Sequence, residues 1–188
     1  SVEEVVNCAI EEDVNAIAIT SYQGGHTEYL KYMYDLLQKK KAEHIKIFAG
    51  GGGTILPEEI KELEEYGISK IYHPDDGREM GLQGMINNMV SLCDFPTGSE
   101  INFDIKQLQN REDLALGQAI SAAENFGEKH QTFLDKIIAE GSKKSIPILG
   151  ITGTGGAGKS SMVDELVRRY TNDFSDKNLA IISACRIS

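Results

Sequence analysis

Val14–His26, VNAIAITSYQGGH, joins a short and nearly continuous apolar run to a polar loop containing two glycines. A run of that kind suits a parallel β-strand covered on both faces. The same unit recurs downstream. Ile45–Ala49 reads as a second strand followed by the loop Gly50–Gly53, and Ile68–Tyr72 as a third followed by His73–Gly77. Between the strands lie helical patterns. Val2, Val5, Val6, Ala9 and Ile10 share one face before the first strand, and Leu30, Met33, Tyr34 and Leu37 share one after it. Pro57–Tyr66 has proline in its first turn and Gly67 at its end, and Glu79–Cys93 closes the series. Strands alternating with helices imply right-handed βαβ units, a parallel sheet and an α/β fold. Ligands of such sheets sit beyond the carboxyl ends of the strands, where the three loops lie.

Asp94–Arg111 breaks the alternation and marks a boundary, so the first domain is expected to span 1–93. Glu112–Ile138 carries apolar positions of one or two amphipathic helices, giving a helical linker over 94–145, and a new βα unit starts at Ile146. The chain has 188 residues, 40% of them hydrophobic and 26% charged, which is the make-up of a globular protein. Its formal net charge of −10 argues against a general nucleic-acid binder, which needs a basic face. An acidic surface still permits one phosphate ester in a local pocket. Cys8, Cys93 and Cys185 are odd in number and far apart, as expected of buried thiols in a reducing, cytoplasmic compartment. No apolar run reaches the roughly 20 residues that span a bilayer, so no membrane role is expected. The first residue is not methionine, and the chain is read as a fragment.

Gly153-Thr-Gly-Gly-Ala-Gly-Lys-Ser160 matches G-x-x-x-x-G-K-[ST] at every fixed position. It follows the strand-like IPILGIT and precedes the helical SMVDELVRRY, the context its mechanism requires. Gly153, Gly155, Gly156, Ala157 and Gly158 would turn backbone N–H groups toward phosphate oxygens, and the following helix adds its positive end. Lys159 would reach the β- and γ-phosphates, Ser160 would ligate Mg²⁺, and Ser161 extends the site into the helix. A glycine-rich turn with a chance lysine is the plain alternative. Leu179–Ser183 reads as the next strand, and no second acidic Mg²⁺ ligand or base-reading element follows, so hydrolysis by this chain alone is not expected.

The loops of the first domain are weaker signals. Thr20-Ser-Tyr-Gln-Gly-Gly-His26 and Gly50–Gly53 suit either close approach of a flat ligand to backbone or a flexible turn. His26 is expected to be a loop hydrogen-bonder, because no second metal ligand lies at a useful spacing; His44, His73 and His130 likewise stand alone.

In their order, these features resemble the later two-thirds of a cobalamin-binding domain of the methylmalonyl-CoA mutase class. Ser21-Tyr22-Gln23 resembles that family's S-x-L element with glutamine for leucine, or Thr20 takes the serine position in a register one residue earlier. Gly52-Gly53, 31 residues after Ser21 and followed by TILPEEI, resembles the G-G element, with Gly51 beside it. Tyr72-His73-Pro74 resembles the loop bordering the cofactor's nucleotide tail. The family's D-x-H-x-x-G loop, with its cobalt-ligating histidine, is absent and belongs upstream with a first strand, helix and second strand.

A cobalamin domain, a helical linker and then GTGGAGKSS is the order of the fused isobutyryl-CoA mutases, with a GTPase chaperone domain of the MeaB/ArgK type. The resemblance implies a truncated flavodoxin-like (Rossmann-like) sheet, the linker, and the first βαβ of a GTPase domain over 146–188. It implies adenosylcobalamin and GTP with Mg²⁺ as cofactors, an isomerase converting isobutyryl-CoA to n-butyryl-CoA, an acyl-CoA partner met only by a separate barrel domain, and a homodimeric parent. It also implies that Val14–Thr20 is an exposed edge strand, and that this segment alone binds cobalamin poorly and associates. The family's aspartate-proline stretch is replaced by ACRIS at 184–188. A receiver-like or non-catalytic interaction module fused to a P-loop ATPase is the alternative; a receiver needs a strand ending in aspartate.

Overall fold

The computed structural model describes residues 1–22 and 24–183. It divides into two compact units, Ser1–Lys143 and the part from Lys144 onward. In the first unit, helix α1 (Val2–Glu11) opens with a capping box. The Ser1 hydroxyl accepts from the Glu4 N–H, and the Glu4 carboxylate accepts from the N-terminal amine at 2.6 Å. Strands β1 (Ala16–Thr20), β2 (Lys46–Gly50) and β3 (Lys70–Tyr72) follow, interleaved with α2 (His26–Lys39) and α3 (Pro57–Tyr66). All pairings are parallel in the order β1-β2-β3, with Ile17 opposite Ile47 and Ala49 opposite Ile71. The fold is α/β with an open parallel sheet, as its alternating pattern implies.

Period-2 alternation sorts the strand residues between two faces. Ile17, Ile47, Ala49 and Ile71 join the core with Val6, Ile10, Leu30, Met33, Leu37 and Leu63 from α1, α2 and α3. On the other face Phe48 is buried, whereas its cross-strand neighbour Ala18 is exposed. The expectation that Val14–Thr20 is covered on both faces is therefore corrected. β1 lies at the sheet's edge, and α4 (Pro74–Cys93) packs on β3 at the far side. Helix α4 also begins earlier than its expected Glu79. His73 is its N-cap, Asp76 accepts from the His73 N–H at 2.8 Å, and Pro74 occupies the first helical position. The residues read as the loop His73–Gly77 thus form its first turn. Gly81, at φ 66°, breaks α4 into two helical pieces.

The segment after α4 folds onto this unit. Asn15 Nδ2 donates to the carbonyls of Cys93 (2.8 Å) and Phe95 (2.6 Å), which fixes where the chain leaves α4. Helices α5 (Ile105–Gln109), α6 (Asp113–Phe126) and α7 (Gln131–Gly141) follow. Helix α6 packs on α1 with Ala115, Gly117, Ala119 and Ala122 buried. A Cβ on Gly117 would come within 2.8 Å of the Ile10 carbonyl, so this approach requires glycine.

The second unit contains α8 (Lys159–Asp173). Neither Ile146–Thr152 nor Leu179–Ser183 is a strand, contrary to the βαβ expected there. A strand is defined by ladder hydrogen bonds to a neighbour, and none forms among the described residues of this unit. Ile148 and Ile182 are almost fully exposed.

The two described cysteines are not core thiols. Cys8 is exposed on the polar side of α1, and Cys93 is partly covered, with burial pushing its thiol pKa up. Cys185 lies outside the described residues. Among those residues no helix is long and apolar enough to cross a membrane.

Candidate functional site

The carboxyl ends of β1 and β2 deliver two loops, and that of β3 the start of α4, to one edge of the sheet. The Ser21 N–H donates to the Gly50 carbonyl at 2.8 Å, prolonging the β1–β2 ladder beyond both strands. Thr54 Oγ1 lies 2.6 Å from the Gly51 carbonyl and 3.0 Å from that of Ser21. Tyr22 is 70% exposed, yet its ring lies over Gly52, where an added Cβ would meet Cε1 at 2.8 Å. Gly53 faces Pro74 at ordinary contact distance, and Gly50 faces the Tyr72 carbonyl. Thr20–Tyr22, Gly51–Gly53 and Tyr72–Pro74 are thus brought together. Gln23 lies outside the described residues, so its place is open.

The glycine run has a structural cause that its composition did not name. A Cβ on Gly51 would sit 2.6 Å from the Ser21 carbonyl oxygen and 2.8 Å from Ile55. Gly52 and Gly53 hold positive φ (56° and 89°). The glycines allow loop-to-loop packing, so this turn is tightly packed rather than slack.

Helix termini complete the rim. Gly25 is the N-cap of α2 at φ 88° with no side-chain cap, and the next residue, His26, is 8% exposed. Its Nε2 is 3.2 Å from Glu59 Oε2, which also accepts the Leu56 N–H at 2.8 Å. That backbone bond, with the imidazole adding to it, holds the Glu59 carboxyl below the usual carboxylate range. Behind the Thr20–Ser21 loop is a cleft of about 200 Å³ walled by Leu30, Tyr29 and His26. His26 is a helix residue with a carboxylate partner, not the loop residue its sequence position suggested. The other histidines also have neighbours: His44 lies 3.4 Å from Asp13, His73 Nδ1 lies 3.2 Å from Asp75 and His130 Nε2 lies 3.0 Å from the Gly98 carbonyl. The His26–Glu59 pair left no short-range signal, because its members are 33 residues apart.

In the second unit Gly153–Ser160 curls into the start of α8. Gly156 and Gly158 hold φ of 77° and 76°, and Gly158 is an N-cap with no side-chain bond. Nothing lies within 4 Å of a Cβ built on Gly155, Gly156 or Gly158. These glycines face open space, the opposite of Gly51. Lys159 Nζ folds back to the Thr154 carbonyl at 2.6 Å, while Ser160 and Ser161 stand exposed in the first helical turn. An uncapped helix N-terminus beside open backbone and a lysine fits a phosphate group chemically.

No family model matches the chain. It is 52% identical over 189 residues to a fused isobutyryl-CoA mutase of Geobacillus kaustophilus, covering 97% of this chain and 17% of that protein. A fused isobutyryl-CoA mutase of Cupriavidus metallidurans is 48% identical over 184 residues, with the same two coverages. A methylmalonyl-CoA mutase of Escherichia coli is 33% identical over 72 residues, 38% of this chain and 10% of that protein. The chain thus spans about one sixth of the length of the fused relatives it matches.

Proposed function

On the premise that this chain is homologous to one segment of the fused isobutyryl-CoA mutases, we propose that it carries part of a cobalamin site and the phosphate-binding part of a GTP site. The observation that carries the first half is the convergence of Thr20–Tyr22, Gly51–Gly53 and Tyr72–Pro74 at the carboxyl edge of the sheet. Brought together this way, they leave the Tyr22 ring and Gly52–Gly53 exposed beside the partly exposed His73, which suits a broad, flat ligand. When bound, adenosylcobalamin would supply a homolysable cobalt–carbon bond for a radical rearrangement of an acyl-CoA. The residues here would position and shield it. The acyl-CoA, isobutyryl-CoA in the name of the relatives, would be taken up by a part of the protein other than this chain.

Support for the second half is the Gly153–Ser160 turn, open where phosphate oxygens would lie. Lys159 would release the Thr154 carbonyl to meet the β- and γ-phosphates, and the Ser160 hydroxyl would ligate Mg²⁺. Nucleotide use would then gate cofactor loading in a cytoplasmic, homodimeric enzyme. The receiver alternative is disfavoured, since β1, β2 and β3 end in Thr20, Gly50 and Tyr72 rather than aspartate. The test is Lys159→Ala in the full-length protein. Guanine-nucleotide affinity should fall at least tenfold, roughly what the loss of one charge-assisted contact implies; unchanged affinity overturns the assignment.

A further inference from the structure

Gly24 and Gly25 close the loop that leads from β1 into α2. Both face open space, with nothing within 4 Å of a Cβ built on either, and Gly25 sits at φ 88°. The Gly25 carbonyl accepts from the Tyr29 N–H at 3.1 Å, which joins this end of the loop to α2. The first side chain after the loop that is buried is His26, and its imidazole reaches across to α3. A carboxylate only accepts hydrogen bonds, so in the 3.2 Å contact with Glu59 Oε2 the imidazole Nε2 is the side that would donate. The same oxygen accepts the Leu56 N–H. One carboxylate oxygen thus ties the end of the first loop to the end of the second.

The geometry points to His26 as a positioning residue for the candidate cobalamin surface: through Glu59 it sets the spacing of the 21–25 and 51–56 loops. The assignment rests on the cobalamin reading for its functional meaning and on geometry alone for its structural one. Thr54 locks the two loops near the strand ends, and the His26–Glu59 pair locks them at the helix starts. With both locks closed, the Gly51–Gly53 backbone and the Tyr22 ring face a ligand without reorganisation, which lowers the cost of binding.

The experiment uses the full-length protein with His26→Ala, His26→Gln and, because Glu59 lies at the surface, Glu59→Ala as a variant that spares the core. Peptide-level hydrogen exchange is read at 21–25 and 51–56, and adenosylcobalamin affinity by absorption titration. His26→Ala and Glu59→Ala should speed exchange in both loops roughly tenfold, about what one lost net hydrogen bond allows. His26→Gln, which keeps a donor at nearly the same reach, should restore it. Affinity should follow the same order. Wild-type exchange in both alanine variants, or His26→Gln exchanging as fast as His26→Ala, overturns the proposal. Should the exchange pattern hold while the wild-type protein binds no adenosylcobalamin, the positioning role stands and the cobalamin reading falls.

Discussion

The Thr54 hydroxyl stands between two carbonyl oxygens, 2.6 Å from that of Gly51 and 3.0 Å from that of Ser21. One side chain therefore closes its own turn and joins it to the neighbouring loop. Thr54→Val keeps the shape and removes the donor. It should lower stability by about 1 kcal/mol, the usual net value of one hydrogen bond, read as a shift in urea midpoint without a change in slope. An unchanged midpoint would show that the hydroxyl is not linking the loops.

Glycines of the two units should respond oppositely to alanine. At Gly51 the new methyl would meet the Ser21 carbonyl and Ile55, so Gly51→Ala should cost about 1–3 kcal/mol, the usual penalty of overpacking. At Gly155 it would meet nothing, so Gly155→Ala should leave the melting temperature unchanged and weaken only guanine-nucleotide binding. Thermal melts and nucleotide titrations of both variants decide this. Equal melting temperatures for the two would refute the contrast.

Glu59 gives a pH dependence whose sign is fixed. Its carboxyl is held below its ordinary value in the fold, by the Leu56 N–H first and by His26 in addition. The unfolded chain therefore binds the proton more readily. The stabilisation is complete above the ordinary carboxylate value and is lost as pH falls through the lowered folded value. Urea midpoints of wild type and Glu59→Gln should accordingly differ at neutral pH and converge in acid. A difference that grows on acidification would contradict the assignment.

Much of this was legible in the residues. The apolar run Ile68–Tyr72 contains β3, Ile45–Ala49 covers β2 except for Gly50, which belongs to the strand and not to the loop after it, and Pro57 with Gly67 bounds α3 as read. The start of α4 could have been found, because His73-Pro-Asp-Asp has the N-cap, the proline and the acidic first turn of a helix; Gly77 hid it. Cys8 was also placeable, since it falls opposite the Val2, Val6, Ala9 and Ile10 stripe. Two features were beyond local pattern. The exposure of Ala18 depends on which neighbours a sheet face has, and an apolar run does not encode that. The His26–Glu59 pair exists only once β1 and β2 are in register.

Gly117 tests the docking of the helical segment. A methyl there would press on the Ile10 and Glu11 carbonyls, which are backbone and cannot rotate away. Gly117→Ala should therefore lift α6 from α1 and expose Asp113–Phe126 to limited proteolysis, while the sheet stays protected. Cleavage at the wild-type rate would mean that the helix pair has room to spare.

The central claim is that two separate phosphate- or corrin-bearing ligands meet two separate sets of loops. Hydrogen exchange of the full-length protein with adenosylcobalamin, and separately with GTP and Mg²⁺, tests it most directly. The account predicts that adenosylcobalamin protects amides at 20–22, 51–53 and 72–73, and that GTP protects those at 153–161. Protection by adenosylcobalamin that misses all three sheet-edge segments, or by GTP that leaves 153–161 unchanged, would contradict it.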